Sequence, residues 1–268
     1  MFISDELVFV ELHKTGCTHI GKLLASLVKG VQRGKHNAPP PALLTSGRKF
    51  LGSVRNPWDW YVSLWAYGCD HKGLVYNYTT QPLQANEKSA ALPAVFLNAP
   101  GTQNNLAVRK PEKWKRCYSD SKSASAFQDW LHMMNDKDYW NDFGEGYGVN
   151  PIARFAGLLS YRYINLFCRH SPAQITSIKD LISYEKTNCF INYFIRTEHL
   201  EDDFVTALES CGIHISKSQA STIYSAEKTN TSSRRNETAY FYDNETLKLV
   251  SEREQIIIDK FSYLAPSI

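Results

Sequence analysis

A short apolar run near the start of the chain leads into a polar turn and then into a helical pattern. Residues 7–12 are almost all apolar, with β-branched and aromatic side chains, which predicts a buried strand. Residues 17–29 carry apolar side chains at spacings of three and four, which predicts a helix with one buried face. A strand that opens directly into a helix indicates a fold in which helices cover a sheet.

The alternation of strand and helix continues along the chain. Further strands are predicted at residues 50–54, 161–167 and 190–195. Further helices are predicted at residues 58–67, 124–134, 175–183, 200–211 and 244–261. We therefore expect the α/β class, with a mostly parallel central sheet flanked by helices on both faces.

Length and composition indicate an ordinary globular protein. The chain has 268 residues, of which 43% are apolar and 21% charged, enough to build a core without disulfides. We expect a single domain over residues 1–268. Residues 70–123 are rich in Asn, Ser, Pro, Gly and Lys and have weak periodicity, so we expect a long variable insertion there.

The charge balance and the apolar runs restrict the partners. The chain has 30 Lys and Arg against 27 Asp and Glu, a net charge of +3, which argues against a nucleic-acid partner. No apolar run reaches the roughly 18 residues of a membrane span, so no integral membrane segment is expected. The sequence starts without a basic and apolar leader, and we expect a cytoplasmic protein with reduced thiols.

The first turn, at residues 13–18, has the composition of a phosphate cradle. Backbone N–H groups at a helix start point towards an anion, and the helix dipole favours negative charge there. Gly16 allows close approach of the backbone, while Lys14 adds a positive charge and Thr15 and Thr18 add hydroxyl groups. Because a phosphate-binding turn would join a strand to a helix here, we expect a P-loop-like fold.

A second anion site is expected at the end of the next strand. Arg55 follows residues 50–54 and would lie at the carboxyl end of that strand, where ligands bind in open α/β sheets. Ser63 lies on the following helix, and a guanidinium with a hydroxyl suits a phosphate. Two anion sites at two strand ends suggest a nucleotide with phosphates on different parts of the molecule.

A nucleoside-triphosphate kinase is the first alternative, because residues 16–22 fit the pattern G-x-x-x-x-G-K. The next residue is Leu23, where a kinase needs a Ser or Thr for magnesium. Gly21 and Lys22 also fall inside the predicted helix rather than at its start. A non-catalytic nucleotide-binding protein of the same fold is the second alternative.

Four segments together resemble the PAPS-dependent sulfotransferases, PAPS being 3′-phosphoadenosine 5′-phosphosulfate. Residues 8–18 resemble their 5′-phosphosulfate loop, and residues 54–63 resemble their 3′-phosphate motif. Residues 194–204 and 242–263 are similar to segments of the carbohydrate-type branch and its bacterial members. The first motif departs from the common form in two places, with His13 for the usual proline and Cys17 for the usual Gly, Ser or Thr.

The resemblance implies transfer of a sulfuryl group from PAPS to an acceptor hydroxyl, with a saccharide favoured as acceptor. The product would be 3′-phosphoadenosine 5′-phosphate, and no metal is expected. Lys14 would be the cation at the leaving oxygen. The 5′ side of the nucleotide would be held by Thr15, Gly16, Cys17 and Thr18, and the 3′-phosphate by Arg55 and Ser63.

The resemblance also suggests roles for three residues outside these motifs. His19 takes the position of an aromatic side chain that stacks on adenine, the alternative being a histidine on the helix surface. Arg234 and Arg235 resemble a late basic loop that closes on the nucleotide, the alternative being a solvated charge pair.

The general base is expected to be His36, since Lys35-His36 resembles a Lys-His pair of bacterial members and the pKa of histidine suits proton removal near neutral pH. His13, His71, Asp70 and Glu11 stay as alternatives. Two Cys-x-His patterns, at residues 69–71 and 168–170, are too sparse for a metal site.

Five of the six tryptophans fall into two groups. Trp58 and Trp65 share a helical face with Tyr61 and are expected in the core. Trp114, Trp130 and Trp140 lie in or near the variable middle region, where they would either stack on sugar rings or pack.

Overall fold

A computed structural model describes residues 1–81, 111–169, 175–226 and 236–268. Within these residues the chain is α/β. The strands are β1 (Phe2–Ser4), β2 (Leu7–Val10), β3 (Gly30–Gln32), β4 (Lys49–Val54) and β5 (Tyr193–Arg196). The helices are α1 (Cys17–Leu27), α2 (Pro41–Leu44), α3 (Pro57–Cys69), α4 (Leu74–Thr80), α5 (Pro111–Cys117), α6 (Ala124–Asn135), α7 (Leu158–Phe167), α8 (Ile178–Asn188), α9 (Leu200–Ser210), α10 (Lys217–Ser225), α11 (Asn244–Arg253) and α12 (Gln255–Phe261).

The strands form one mixed sheet in the order β3-β1-β2-β4-β5. β2, β4 and β5 are parallel, as the alternation of strand and helix predicts. β1 is antiparallel to both β2 and β3. The prediction of a mostly parallel sheet is therefore confirmed only for β2, β4 and β5. The reason is that only Asp5 and Glu6 separate β1 from β2, and so short a connection allows only antiparallel pairing.

The structure divides into two compact units. The first comprises residues 1–56, 162–174 and 182–231, and the second comprises residues 57–161, 175–181 and 232–268. The expectation of a single domain over residues 1–268 stays a prediction. No helix in the described parts of the chain is long and apolar enough to cross a membrane.

The core of the first unit lies between the sheet and the helices α1, α9 and α10. Leu7 and Phe9 of β2, Leu24 of α1 and Phe204 of α9 have no exposed surface. Burying one such side chain contributes roughly 1.5–3 kcal/mol, so this cluster fixes α1 against β2 and with it the turn between them.

The core of the second unit is aromatic. Trp65 on α3 makes edge-to-face contacts with Phe127 and Phe241, at centroid distances of 5.5 and 5.4 Å. Trp58, Tyr61 and Trp65 are buried, as predicted. Trp114 and Trp130 are also fully buried, so they belong to the core and do not offer a face to a sugar ring. Trp140 is half-buried, and its ring lies beneath the Arg253 guanidinium.

Three predictions about elements are wrong or incomplete. Residues 161–167 belong to helix α7 and not to a strand. The single helix expected over residues 244–261 is two helices, α11 and α12, separated at Glu254. The expected insertion at 70–123 contains α4 and α5, and its residues 82–110 lie outside the described residues.

Candidate functional site

The two predicted anion sites lie side by side at the carboxyl ends of β2 and β4. Val10 of β2 is in register with Gly52 of β4, and the two strands are parallel. Arg55 donates a hydrogen bond from Nη1 to the backbone oxygen of Lys14, at 3.1 Å. The guanidinium expected at one phosphate is therefore in direct contact with the loop expected at the other.

The first turn has a backbone suited to an anion. Lys14 and Gly16 both adopt left-handed conformations, with φ of 61° and 73°. Gly16 caps the start of α1, and no side chain supplies a cap hydrogen bond there. A Cβ at Gly16 would lie 2.9 Å from Cδ1 of Leu200, and any side chain would be strained at this φ, so the position favours glycine. The amides of Cys17 and Thr18 lie in the first helical turn, where N–H groups have no acceptor within the helix.

The hydroxyl of Thr15 does not have the role expected of it. It is fully buried, donates to the Leu12 oxygen at 2.8 Å and lies 2.6 Å from the hydroxyl of Ser53. This side chain therefore joins the turn to β4 and is not available to a nucleotide.

Thr18 has a cationic neighbour that the sequence interpretation did not assign to the nucleotide site. Lys35 donates a hydrogen bond from Nζ to Oγ1 of Thr18 at 3.1 Å, and the Lys35 side chain is exposed. A second ammonium group thus stands at the start of α1. Its only signal in the sequence is the resemblance of Lys35-His36 to a Lys-His pair.

The protonation state of the Cys17 thiol follows from its burial. The side chain is buried, and burial raises the pKa of the thiol, as does the Glu11 carboxylate. The thiol therefore stays protonated at neutral pH, and the unusual residue at this position leaves the turn intact.

His36 is held in one orientation. Its Nδ1 lies 3.0 Å from the backbone oxygen of Glu11. Because a carbonyl oxygen only accepts, Nδ1 carries the hydrogen and Nε2 keeps its lone pair. Burial lowers the pKa of His36, so the imidazole is in its basic form at neutral pH.

The His36 ring stacks on His13, at 3.7 Å between centroids and an interplanar angle of 17°. Burial lowers the pKa of His13, and the charges of Arg162 and His36 lower it further. The two imidazoles therefore stack as neutral rings, and His13 covers one face of the expected base.

The other possible bases are Glu11, His13, Asp70 and His71. Glu11 is buried, and its Oε2 accepts hydrogen bonds from Gln32 at 2.7 Å and from the amino group of Met1 at 2.9 Å. Asp70 and His71 belong to the second unit, just after α3. His36, the expected base, has a fixed ring and a nitrogen lone pair on Nε2.

The turn that carries Arg55 is fixed by the segment after β5. Asn56 donates its backbone N–H to Oε1 of Glu198 at 2.7 Å, and Thr197 donates its hydroxyl to the Val54 oxygen at 2.9 Å. Neither Thr197 nor Glu198 was predicted as a site residue. Their signal was the resemblance of residues 194–204 to a family segment.

The remaining predicted site residues are Ser63, His19, Arg234 and Arg235. Ser63 is buried on α3 and belongs to the second unit. His19 is buried on α1, so the alternative of a surface histidine is wrong. Arg234 and Arg235 lie outside the described residues.

Among the described residues, no group of three or more His, Cys, Asp and Glu side chains is arranged to hold a metal ion. Comparison of the chain with protein-family models, curated proteins and solved structures gives no match.

Proposed function

We propose that this protein is a sulfotransferase that moves a sulfuryl group from PAPS to an acceptor hydroxyl, with a saccharide as the favoured acceptor. The proposal includes a P-loop-like sheet flanked by helices on both faces. The observation that carries it is the contact of Arg55 with the Lys14 loop. One ligand with a phosphate on the ribose and a phosphosulfate on the 5′ side needs two adjacent anion sites of this kind.

Lys14 is the cation in the proposed reaction. A new bond forms between the acceptor oxygen and sulfur while the bond from sulfur to the 5′-phosphate oxygen breaks, and negative charge grows on that leaving oxygen. Lys14 and the start of α1 stabilise this charge with an ammonium group and helix amides. The nucleotide product is 3′-phosphoadenosine 5′-phosphate.

His36 is the base in the proposed reaction. Its Nε2 removes the proton of the acceptor hydroxyl as the oxygen attacks sulfur, and the imidazolium then releases the proton to water. The hydrogen bond to Glu11 and the stacked ring of His13 keep the imidazole fixed. Arg55 holds the 3′-phosphate.

The kinase alternative is weaker because of where its motif lies. Gly21 and Lys22 are the fifth and sixth residues of α1, past its first turn, and Lys22 is exposed. A phosphate-binding lysine of a kinase needs a loop whose amides surround the phosphates. In this chain Lys14 precedes the helix and Lys22 does not.

Nucleotide binding tests the proposal through the 3′-phosphate. We expect the wild-type protein to bind 3′-phosphoadenosine 5′-phosphate roughly 10- to 100-fold more tightly than adenosine 5′-monophosphate in calorimetry, as expected for charge-assisted hydrogen bonds. Arg55→Ala removes that preference. Arg48→Ala is the matched control, because Arg48 precedes β4 and donates to the Ser4 oxygen. Equal affinity of the wild-type protein for the two nucleotides would overturn the proposal.

A further inference from the structure

Two cysteines lie opposite each other across an antiparallel bridge in the first unit. Cys168 follows α7 and Cys189 follows α8, and they form an isolated pair outside the five strands. All six cysteines of the chain lie in the described residues, and the structure contains them as thiols. The donor site proposed above uses neither Cys168 nor Cys189.

The register places the two side chains together. Arg169 donates its N–H to the Asn188 oxygen at 2.9 Å, and Phe190 donates its N–H to the Phe167 oxygen at 3.0 Å. These bonds stand on either side of the cysteine pair, so the pair itself is of the non-hydrogen-bonded kind. In such pairs the Cα atoms are about 4.5 Å apart and the side chains are closest. A disulfide requires Cα atoms roughly 4.4–6.8 Å apart.

Both sides of the bridge are anchored to the sheet. The Phe167 ring lies beside Gly52 of β4, where an added Cβ would be 3.1 Å from it, and it also contacts Phe194 of β5. Asn192 donates its N–H to the Phe50 oxygen at 2.8 Å and accepts from the Phe50 N–H at 2.7 Å. The bridge is therefore part of the packed unit.

Access to the two thiols differs. Cys189 is half-buried, whereas only 1% of Cys168 is exposed. Cys189 is therefore the more accessible of the two residues, while Cys168 is positioned to react with a group already attached to its neighbour.

We propose that Cys168 and Cys189 are a site of thiol–disulfide exchange that takes a small-molecule disulfide, of which glutathione disulfide is the representative. The Cys189 thiolate attacks one sulfur of the reagent, forms a mixed disulfide and releases one thiol. The Cys168 thiolate then attacks the Cys189 sulfur and releases the second thiol. The two cysteines are oxidised by two electrons, and the reagent is reduced to two thiols that carry the two protons.

Peptide mapping of the oxidised native protein tests this inference. The folded protein is incubated with glutathione disulfide, the remaining thiols are alkylated, and the cross-linked peptides are identified by mass spectrometry. We expect one cross-link, between Cys168 and Cys189, and four alkylated cysteines in place of six. A lasting mixed disulfide on Cys189, or cross-links among other cysteines instead, would overturn the proposal.

Three variants separate the steps. Cys168→Ser is expected to stop the reaction at the mixed disulfide on Cys189, and Cys189→Ser to remove both the mixed disulfide at this site and the cross-link. Cys211→Ser is the matched control, since Cys211 is also half-buried but lies after α9, and it should leave the cross-link unchanged. Loss of the cross-link in Cys211→Ser would count against the assigned pair. A thermal unfolding scan of each reduced variant verifies that the protein tested is folded.

Discussion

Lys14 and His36 share a backbone property that is uncommon away from glycine. Both have left-handed φ angles, 61° and 54°, and both lie at the candidate site. A side chain in this conformation costs of order 1 kcal/mol or more and persists only where the surroundings enforce it. Of the five described non-glycine residues with positive φ, two are the residues to which the proposed reaction assigns the cation and the base.

The sequence predicted two charged residues of the candidate site, but not all of their neighbours. Lys14 and Arg55 follow two predicted strands, and parallel pairing alone was enough to bring their loops to one edge. The burial of the Thr15 hydroxyl and the stacking of His13 on His36 depend on tertiary contacts, so no local pattern reveals them.

We expect His36→Ala to lower turnover by about 10²- to 10⁴-fold and to leave affinity for 3′-phosphoadenosine 5′-phosphate within about twofold, because the base acts on the acceptor. The wild-type rate should rise with pH and level off above a midpoint below 6.5, since burial lowers the pKa of His36. Steady-state rates between pH 5 and pH 8 provide the measurement. Undiminished turnover in His36→Ala would assign the base to another residue.

His13 should make the protein sensitive to acid. Its pKa is lowered in the folded state, so below about pH 6.5 the unfolded chain binds a proton that the folded protein excludes. Stability contributed by the neutral ring is present above that pH and is lost by up to about 1.4 kcal/mol per pH unit as the pH falls. The difference between the free energies of unfolding in urea at pH 7 and pH 5 measures this loss of stability.

The pH sensitivity should be smaller in His13→Phe, which keeps a ring but does not titrate. His214→Phe is the control, because it makes the same replacement at an exposed position. An identical pH dependence in wild type and His13→Phe would contradict the assignment to His13.

At the scale of elements, the strands and helices with clear apolar patterns were predicted, whereas features that depend on tertiary contacts were not. The strands β2 and β4 and the helices α1 and α3 follow from apolar runs and spacing. β1 and β3 have three residues each, too few to show a period. Residues 161–167 read as a strand because they are short and aromatic, yet they form part of α7, where a buried apolar run is equally compatible with helix.

The break between α11 and α12 has a cause that lies far away in the sequence. Glu254 is fully buried and accepts hydrogen bonds from the backbone N–H and the hydroxyl of Ser160, at 2.8 and 2.6 Å. It also accepts from the backbone N–H of Leu159 and the hydroxyl of Tyr61. The carboxylate thus caps the start of α7, and the helical pattern of residues 244–261 carries no sign of this.

We expect Gly157→Ala to destabilise the protein by about 2–3 kcal/mol. The added Cβ would overlap Oε1 of Glu254 and lie 2.6 Å from the hydroxyl of Tyr61, so the cap on α7 would have to move. Gly21→Ala is the matched comparison. Its Cβ would meet its closest neighbour at 3.9 Å in the middle of α1, so a gain of about 0.5–1 kcal/mol is expected. Urea unfolding distinguishes the two, and equal effects would show that the cap at Glu254 is not rigid.

At the scale of the molecule, charge is concentrated where the proposed ligand binds and is nearly balanced elsewhere. The net charge is only +3, yet Lys14, Lys35 and Arg55 lie within the first unit at one edge of the sheet. Arg55 contacts the loop of Lys14, and Lys35 contacts Thr18 in the same loop. A small, highly anionic nucleotide requires a local cluster of this kind and no general basic surface.

Transfer of labelled sulfate from PAPS to a panel of saccharide acceptors, compared between two lysine variants, tests the central claim most directly. We expect the wild-type protein to label an acceptor, Lys14→Ala to lose at least about 10²-fold in rate because the leaving oxygen loses its cation, and Lys22→Ala to keep its activity. Full sulfate transfer by Lys14→Ala would contradict the proposed mechanism. Loss of activity in Lys22→Ala alone would also contradict it and would favour the kinase pattern instead.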